Sequence, residues 1–353
     1  MSLTIAVDIR EACRPQRTGK GQWTYGFVSE LLRRRTDIML VTDGDVPSEW
    51  KSSGAKVLQI SSRGLLWHLR VLRWLRKNPG MLYVSPVSYI VPALAPRSVR
   101  CIPVVHDLVA FFDEPHDRKA RWIERRLLPH VIKKCRQICT VSDATRKDLL
   151  SRFPVLKPAS VTPIYAGPDH LHPERNSPDG KTILCVATLC PRKNQLRLIQ
   201  AFASLPEELQ KSHRLILAGG RGWHDDAIIK MTQQTPGVEW RGYVNASGYE
   251  SLLHTCTAFA LPSLYEGFGM QILDAMQRGI PILTSNRGSL REVAEGAALI
   301  VDPDDVASIA KGLERLLREA GLRADLSEKA RQRAELYSWR RTVDLFLGIF
   351  KPQ

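Results

Sequence analysis

Acid is missing from a long stretch of this 353-residue chain. Residues 51–100 carry nine Lys and Arg side chains and not one Asp or Glu, which excludes a charge-balanced surface there. Also missing is any uncharged apolar run of about 18 residues, so no transmembrane helix is expected. The opening MSLTIAVDIR has no basic segment leading into an apolar run, which excludes a signal-peptide pattern. CxxC is absent as well. The seven cysteines (13, 101, 135, 139, 185, 190 and 256) offer only two close pairs, Cys135/Cys139 and Cys185/Cys190, each without a second pair nearby. That argues against a zinc site or a disulfide framework and for reduced thiols in a cytoplasmic protein. No short-period repeat or low-complexity tract is found.

What is present is lopsided. Residues 1–170 hold 28 Lys and Arg against 15 Asp and Glu, and the remainder holds 23 against 21, so +13 of the net +15 lies in the first half. Such a balance calls for an anionic partner: phosphorylated substrate, membrane surface or nucleic acid. Short apolar runs alternate with amphipathic segments along the whole length. TIAVDI (4–9), DIMLVTD (37–43), KVLQI (56–60), MLYVSP (81–86), CIPVVHD (101–107) and QICTVSD (137–143) read as strands buried on both faces, with helices over 21–34, 63–77, 117–136 and 143–152. The polar, proline-rich 169–181 reads as a linker. Beyond it the alternation resumes at TILCVAT (182–188) and runs to a final helical stretch. The pattern predicts an α/β chain of two doubly wound Rossmann-like domains, 1–168 and 182–337, with 338–353 as a helix crossing back to the first. Ligands of such sheets lie beyond the carboxyl ends of the strands, so a cleft between the two domains is the expected site.

Three segments carry chemistry. In PSLYEGFGMQILD (262–274) a strand ends, two glycines turn the chain, and a helix begins near Met270. Unpaired amides at that helix start favour phosphate, Gly267 and Gly269 let backbone approach it, and Glu266 is placed to accept hydrogen bonds from sugar hydroxyls. An acid placed only to cap the helix fits the same residues. In CPRKN (190–194), Arg192 and Lys193 lie where a strand passes into a helix. Cations there oppose the helix dipole, which argues for a bound anion over a solvated pair. His106 closes the strand VVHD, where a structural histidine is the plainer reading. Asp43/Asp45 and Asp302/Asp304 are Asp-x-Asp pairs, but they read as a turn and a helix cap, and no metal is expected. Gly19-Lys20-Gly21 is not GxGxxG and is weak as a dinucleotide motif.

Together these segments resemble the family-4 retaining glycosyltransferases of the GT-B fold. Their acid-x7-acid signature reads here as Glu266-GFGMQIL-Asp274, with Asp where the family usually has Glu. VATLCPRKNQLRLIQAF (186–202) is similar to the family's turn after the first strand of its C-terminal domain, VVHDLVAFF (104–112) to its His-Asp strand, and RTGKGQWTYGF (17–27) to its first glycine-containing loop. The resemblance implies a donor site of Arg192, Lys193, Gly267, Phe268, Gly269, Met270, Asp274, Gly19 and Gly21. The cations would hold the diphosphate, Asp274 the ribose, and Glu266 and His106 would attend the transferred sugar. It implies a metal-independent, retaining transfer of a hexose, with no cofactor beyond the nucleoside diphosphate sugar. The expected donor is GDP-mannose and the expected acceptor a lipid-linked or polysaccharide-precursor glycan. Residues 63–77 and 118–136 are basic and amphipathic, so contact with an anionic membrane surface is expected alongside a cytoplasmic location. The competing readings are a non-transferring relative, such as a nucleotide-sugar epimerase, and a basic nucleic-acid-binding protein. The second lacks any recognisable nucleic-acid module.

Overall fold

The computed structural model describes residues 4–112, 118–168 and 175–350. By internal contacts the chain divides into two units. In the first, β1 (Ile5–Asp8), α1 (Gly19–Arg34), β2 (Ile38–Thr42), α2 (Ser48–Lys51), β3 (Lys56–Gln59), α3 (Gly64–Lys77) and β4 (Leu82–Ser85) follow in order. They continue as α4 (Ile90–Leu94), β5 (Arg100–Val105), α5 (Arg118–Lys134), β6 (Ile138–Thr140), α6 (Asp143–Arg152) and β7 (Val161–Pro163). The seven strands form one parallel sheet in the order β3-β2-β1-β4-β5-β6-β7. Central β1 is buried at every position, as covering of both sheet faces demands.

The second unit begins with β8 (Thr182–Val186), α7 (Gln195–Ala203), α8 (Glu207–Ser212), β9 (Arg214–Ala218), α9 (Asp226–Gln234), β10 (Val238–Trp240) and α10 (Ala246–Thr255). It is completed by β11 (Ala258–Leu261), α11 (Met270–Gln277), β12 (Ile282–Ser285), α12 (Leu290–Val293), β13 (Leu299–Val301), α13 (Val306–Arg318) and α14 (Ala320–Ala334). Its six parallel strands run β10-β9-β8-β11-β12-β13.

The last helix, α15 (Trp339–Gly348), groups with the first unit. Trp339 Nε1 donates to the Pro168 carbonyl at 2.8 Å, and Phe346 meets Phe27 of α1 edge-on at 5.1 Å. Gly26 and Gly167 make room for the indole: a Cβ at either would lie 2.1 or 2.4 Å from Trp339. Of the expected linker 169–181, residues 169–174 fall outside the described residues.

Two local expectations change. Gly19-Lys20-Gly21 is the first turn of α1, capped by Thr18, whose hydroxyl accepts from Gly21 N at 3.3 Å. Gly21 is needed because a Cβ there would stand 2.6 Å from the Glu11 carbonyl oxygen, while Gly19 faces open space. The apolar arc of α3 also divides. Trp67, Val71, Leu72 and Leu75 enter the core, whereas Leu65, Leu66 and Leu69 are exposed.

Candidate functional site

The loop between β11 and α11 is fixed from three directions. Asn194, in left-handed conformation at φ 61°, donates from Nδ2 to the carbonyls of Pro262 (2.9 Å) and Pro303 (2.7 Å). Leu264 N donates to the Arg192 carbonyl at 2.8 Å, tying the loop to the single 3-10 turn Pro191–Lys193. On the far side, Ser289 Oγ and Ser289 N each donate to the Glu266 carbonyl at 3.0 Å. Gly288, at φ +55°, passes so close that a Cβ would lie 2.5 Å from the same oxygen. Gly269 then takes φ +87° to open α11 at Met270, a backbone state glycine adopts without steric cost. Phe268 is buried edge-on against Tyr337 at 5.5 Å.

This scaffold brings Glu266, Arg192 and Lys193 together. Arg192 Nη1 donates to Glu266 Oε2 at 2.9 Å and to the Tyr265 carbonyl at 2.6 Å. Lys193 Nζ donates to Glu266 Oε1 at 2.5 Å, and Ser263 Oγ donates to that oxygen at 2.8 Å. Glu266 and Lys193 are both buried. Burial alone would raise the Glu266 pKa, but the charges of Lys193 and Arg192 and the hydrogen bonds outweigh it and hold the carboxyl down to about 2. The group is therefore an anion at neutral pH, with both oxygens engaged. The trio carries one net positive charge beside the start of α11, an arrangement suited to an anionic group.

Asp274 lies one turn into α11, 3% exposed, and accepts from Tyr249 Oη of α10 at 2.9 Å. Arg278, also buried, ties the end of α11 to α10 through a two-armed pair with Glu250 at 2.6 and 2.7 Å. Ser263, Tyr249 and Asn194 were not singled out from the sequence. Asn194 adjoins Lys193 in the recognised turn, and its left-handed backbone is a conformation Asn tolerates. Ser263 and Tyr249 had no comparable local signal.

His106, Gly19 and Gly21 belong to the first unit. His106 follows the end of β5, buried against the edge of Trp23. Burial and then the Lys20 charge pull its pKa down to about 3, so the ring is neutral. Its Nε2 lies 2.8 Å from the Pro86 carbonyl, which can only accept, so Nε2 carries the hydrogen and Nδ1 is the acceptor. Among the described residues no cluster of three metal-ligating side chains occurs. Asp302 Oδ1 accepts from Asp304 N at 3.0 Å, and Asp304 pairs with Arg287 at 2.8 Å.

Comparison with known proteins gives the following. The profile of the glycosyl transferases group 1 matches residues 169–333, and that of glycosyltransferase family 4 matches residues 18–170. The O-antigen chain mannosyltransferase B of Escherichia coli is 30% identical over 304 residues, 81% of this chain and 78% of that protein. The O-antigen chain mannosyltransferase RfbU of Salmonella typhimurium is 25% identical over 315 residues, 83% and 86% of the two chains. Among solved structures, sucrose-phosphate synthase from Thermosynechococcus elongatus aligns with a TM-score of 0.79 at 16% identity, covering 98% of both chains.

Proposed function

We propose, for a chain that belongs to the family 4 glycosyltransferases of the GT-B fold, that it moves mannose from GDP-mannose to a lipid-linked or polysaccharide-precursor glycan with retention at the anomeric carbon. The convergence of Arg192 and Lys193 on Glu266 beside the start of α11 carries this reading. Likeness to two O-antigen mannosyltransferases supports the choice of sugar.

The two cations and the first amides of α11 take the diphosphate and stabilise its charge as it departs, which gives the site positive charge without a metal. The bond between the anomeric carbon and the diphosphate oxygen breaks. The acceptor oxygen bonds to that carbon on the same face, and its proton passes to the departing oxygen. Glu266 is too acidic and too fully hydrogen-bonded to serve as the base. It orients the cations and accepts from sugar hydroxyls. Asp274, shared with Tyr249, holds the ribose.

The acceptor's lipid brings the protein to a membrane surface. α4 packs between α3 and α5. Leu65, Leu66 and Leu69 of α3 and Trp122 of α5 are exposed, as are Arg70 and Arg73 on α3 and Arg126 on α5. Exposed apolar groups beside cations suit an anionic interface. No helix of the described residues is long and apolar enough to cross a membrane.

A thermal-shift panel of GDP-, UDP- and dTDP-sugars tests the donor. A ligand at about 100 times its Kd stabilises by about 2.7 kcal/mol, so GDP-mannose should stand out. Stabilisation by a UDP-sugar with none by GDP-mannose overturns the assignment. An inverted anomer in the product spectrum, or activity abolished by a chelator, overturns the mechanism.

A further inference from the structure

The first unit contains a cavity of about 390 Å³, remote in kind from the chemistry described above. It opens at the amino-terminal ends of the strands, where Leu82 starts β4 and Arg100 starts β5, whereas ligands of doubly wound sheets bind at the carboxyl ends. Its charged lining is of one sign: Arg97, Arg100, Lys134 and Arg136, with no acid. Lys134 is committed, donating to the carbonyls of Ala93 (2.5 Å) and Ala95 (3.1 Å) at the C-terminal end of α4. The three arginines are exposed and form no hydrogen bond or ion pair among the described residues. Elsewhere arginines commonly sit against acids, as in Arg10–Asp8, Arg221–Asp225 and Arg315–Glu319.

Two further features describe what would fit. The wall between the cations is apolar, built from Val99, Ile102, Ile349 and Phe350. Within it Gln137 Oε1 is buried and lacks a hydrogen-bond partner among the described residues. A buried acceptor left unmatched is unfavourable and calls for a donor. Unpaired arginines, an apolar wall and an unmatched acceptor together ask for a phosphate that carries both an apolar chain and a free hydroxyl.

We propose that this cavity binds the phosphoglycerol head and first chain carbons of an anionic lipid. The phosphate lies among Arg97, Arg100 and Arg136, a glycerol hydroxyl donates to Gln137, and the chain covers Ile102 and Phe350. The proposal deepens the membrane reading above by naming a lipid class, but the site takes single lipid molecules and does not require adsorption to a bilayer.

The test uses the full chain and dihexanoylphosphatidylglycerol below the concentration at which it forms micelles, followed by calorimetry. Binding is expected, with little from dihexanoylphosphatidylcholine, whose head lacks both the net charge and the hydroxyl. Replacing Arg97, Arg100 and Arg136 by Gln, all on the surface, should weaken binding by at least about tenfold. The melting temperature and the stabilisation by the sugar nucleotide should stay unchanged. Gln137→Leu should weaken the phosphoglycerol lipid while leaving dihexanoylphosphatidic acid unaffected. Equal affinity for glycerol 3-phosphate would mean a soluble phosphate ligand and overturn the lipid assignment. Equal affinity of wild type and the triple variant would overturn the site. Arg73→Gln, on the outer face of α3, separates the two readings. It should lower sedimentation with vesicles of phosphatidylglycerol and leave capture of the monomeric lipid intact.

Discussion

Glu266 is the counter-ion that permits Lys193 to lie 7% exposed. Taking one partner from a buried pair costs about 3–5 kcal/mol, because the other charge is stranded. Glu266→Gln keeps the shape and removes the charge. The expected variant melts at lower temperature, turns over slower by orders of magnitude, and is stabilised by nucleoside diphosphate more than the wild type, since the cations are then released to the phosphates. Turnover near that of the wild type would refute the role given to this residue. Two buried histidines set the response to acid. His106 is lowered to about 3 by burial and Lys20, and His68 to about 4 by burial and Arg10, with Asp107 and Asp8 acting the other way. Each ordinarily titrates at 6.5. Between these values the unfolded chain binds the extra protons, so stability is complete above about pH 6.5 and falls as pH drops toward 3. Denaturant melts at pH 7 and pH 5 should differ in this direction, and His68→Leu should flatten the slope. Glu266, lowered from 4.5 to about 2, adds to the loss below pH 4.5.

Short elements decide how well the site is aimed. Gly288 has no slack: its backbone is left-handed and its missing Cβ would press on the Glu266 carbonyl. Gly288→Ala should destabilise by about 1–3 kcal/mol and lower kcat more than it raises KM for the donor. Steady-state kinetics beside a thermal melt would show this, and unchanged kcat would mean the loop tolerates the shift. What could be read from sequence follows the same logic of distance. Helix starts were legible where a cap announces them: α6 begins at Asp143 after Ser142, whose hydroxyl accepts from Thr145 N at 3.0 Å. Glu266, Arg192 and Lys193 stood out because each sits in a dense local motif, and the fold brings them within hydrogen-bonding reach. Tyr249 did not, being 25 residues from Asp274 and unremarkable within α10. The resemblance made 17–27 a glycine-containing loop, yet α1 starts at Gly19, two residues before the expected helix over 21–34, and the close approach of Glu11 leaves no room for a Cβ at Gly21. Strand β7, three residues ending in proline, has too little pattern to be seen without its partner β6.

For the molecule as a whole, the charge asymmetry follows the division into units: residues 51–100, which carry cations and no acid, all lie in the first unit. Adsorption to vesicles of phosphatidylglycerol should therefore be strong at ~0.05 M salt and weak at ~0.5 M, where the screening length falls below about 5 Å. Sedimentation with neutral vesicles should be weak throughout. Salt-independent sedimentation would assign the contact to the exposed leucines alone. The placement of α15 has a consequence for how the protein is made. Phe346 and Trp339 complete the covering of α1, but they are translated after every residue of the second unit. On the ribosome the strands of both sheets emerge before α15, so Phe27 and Trp23 wait with one side bare until that helix follows. The first half of the gene thus encodes the half that matures last, and a chain cut short before Ser338 would be sticky rather than merely inactive.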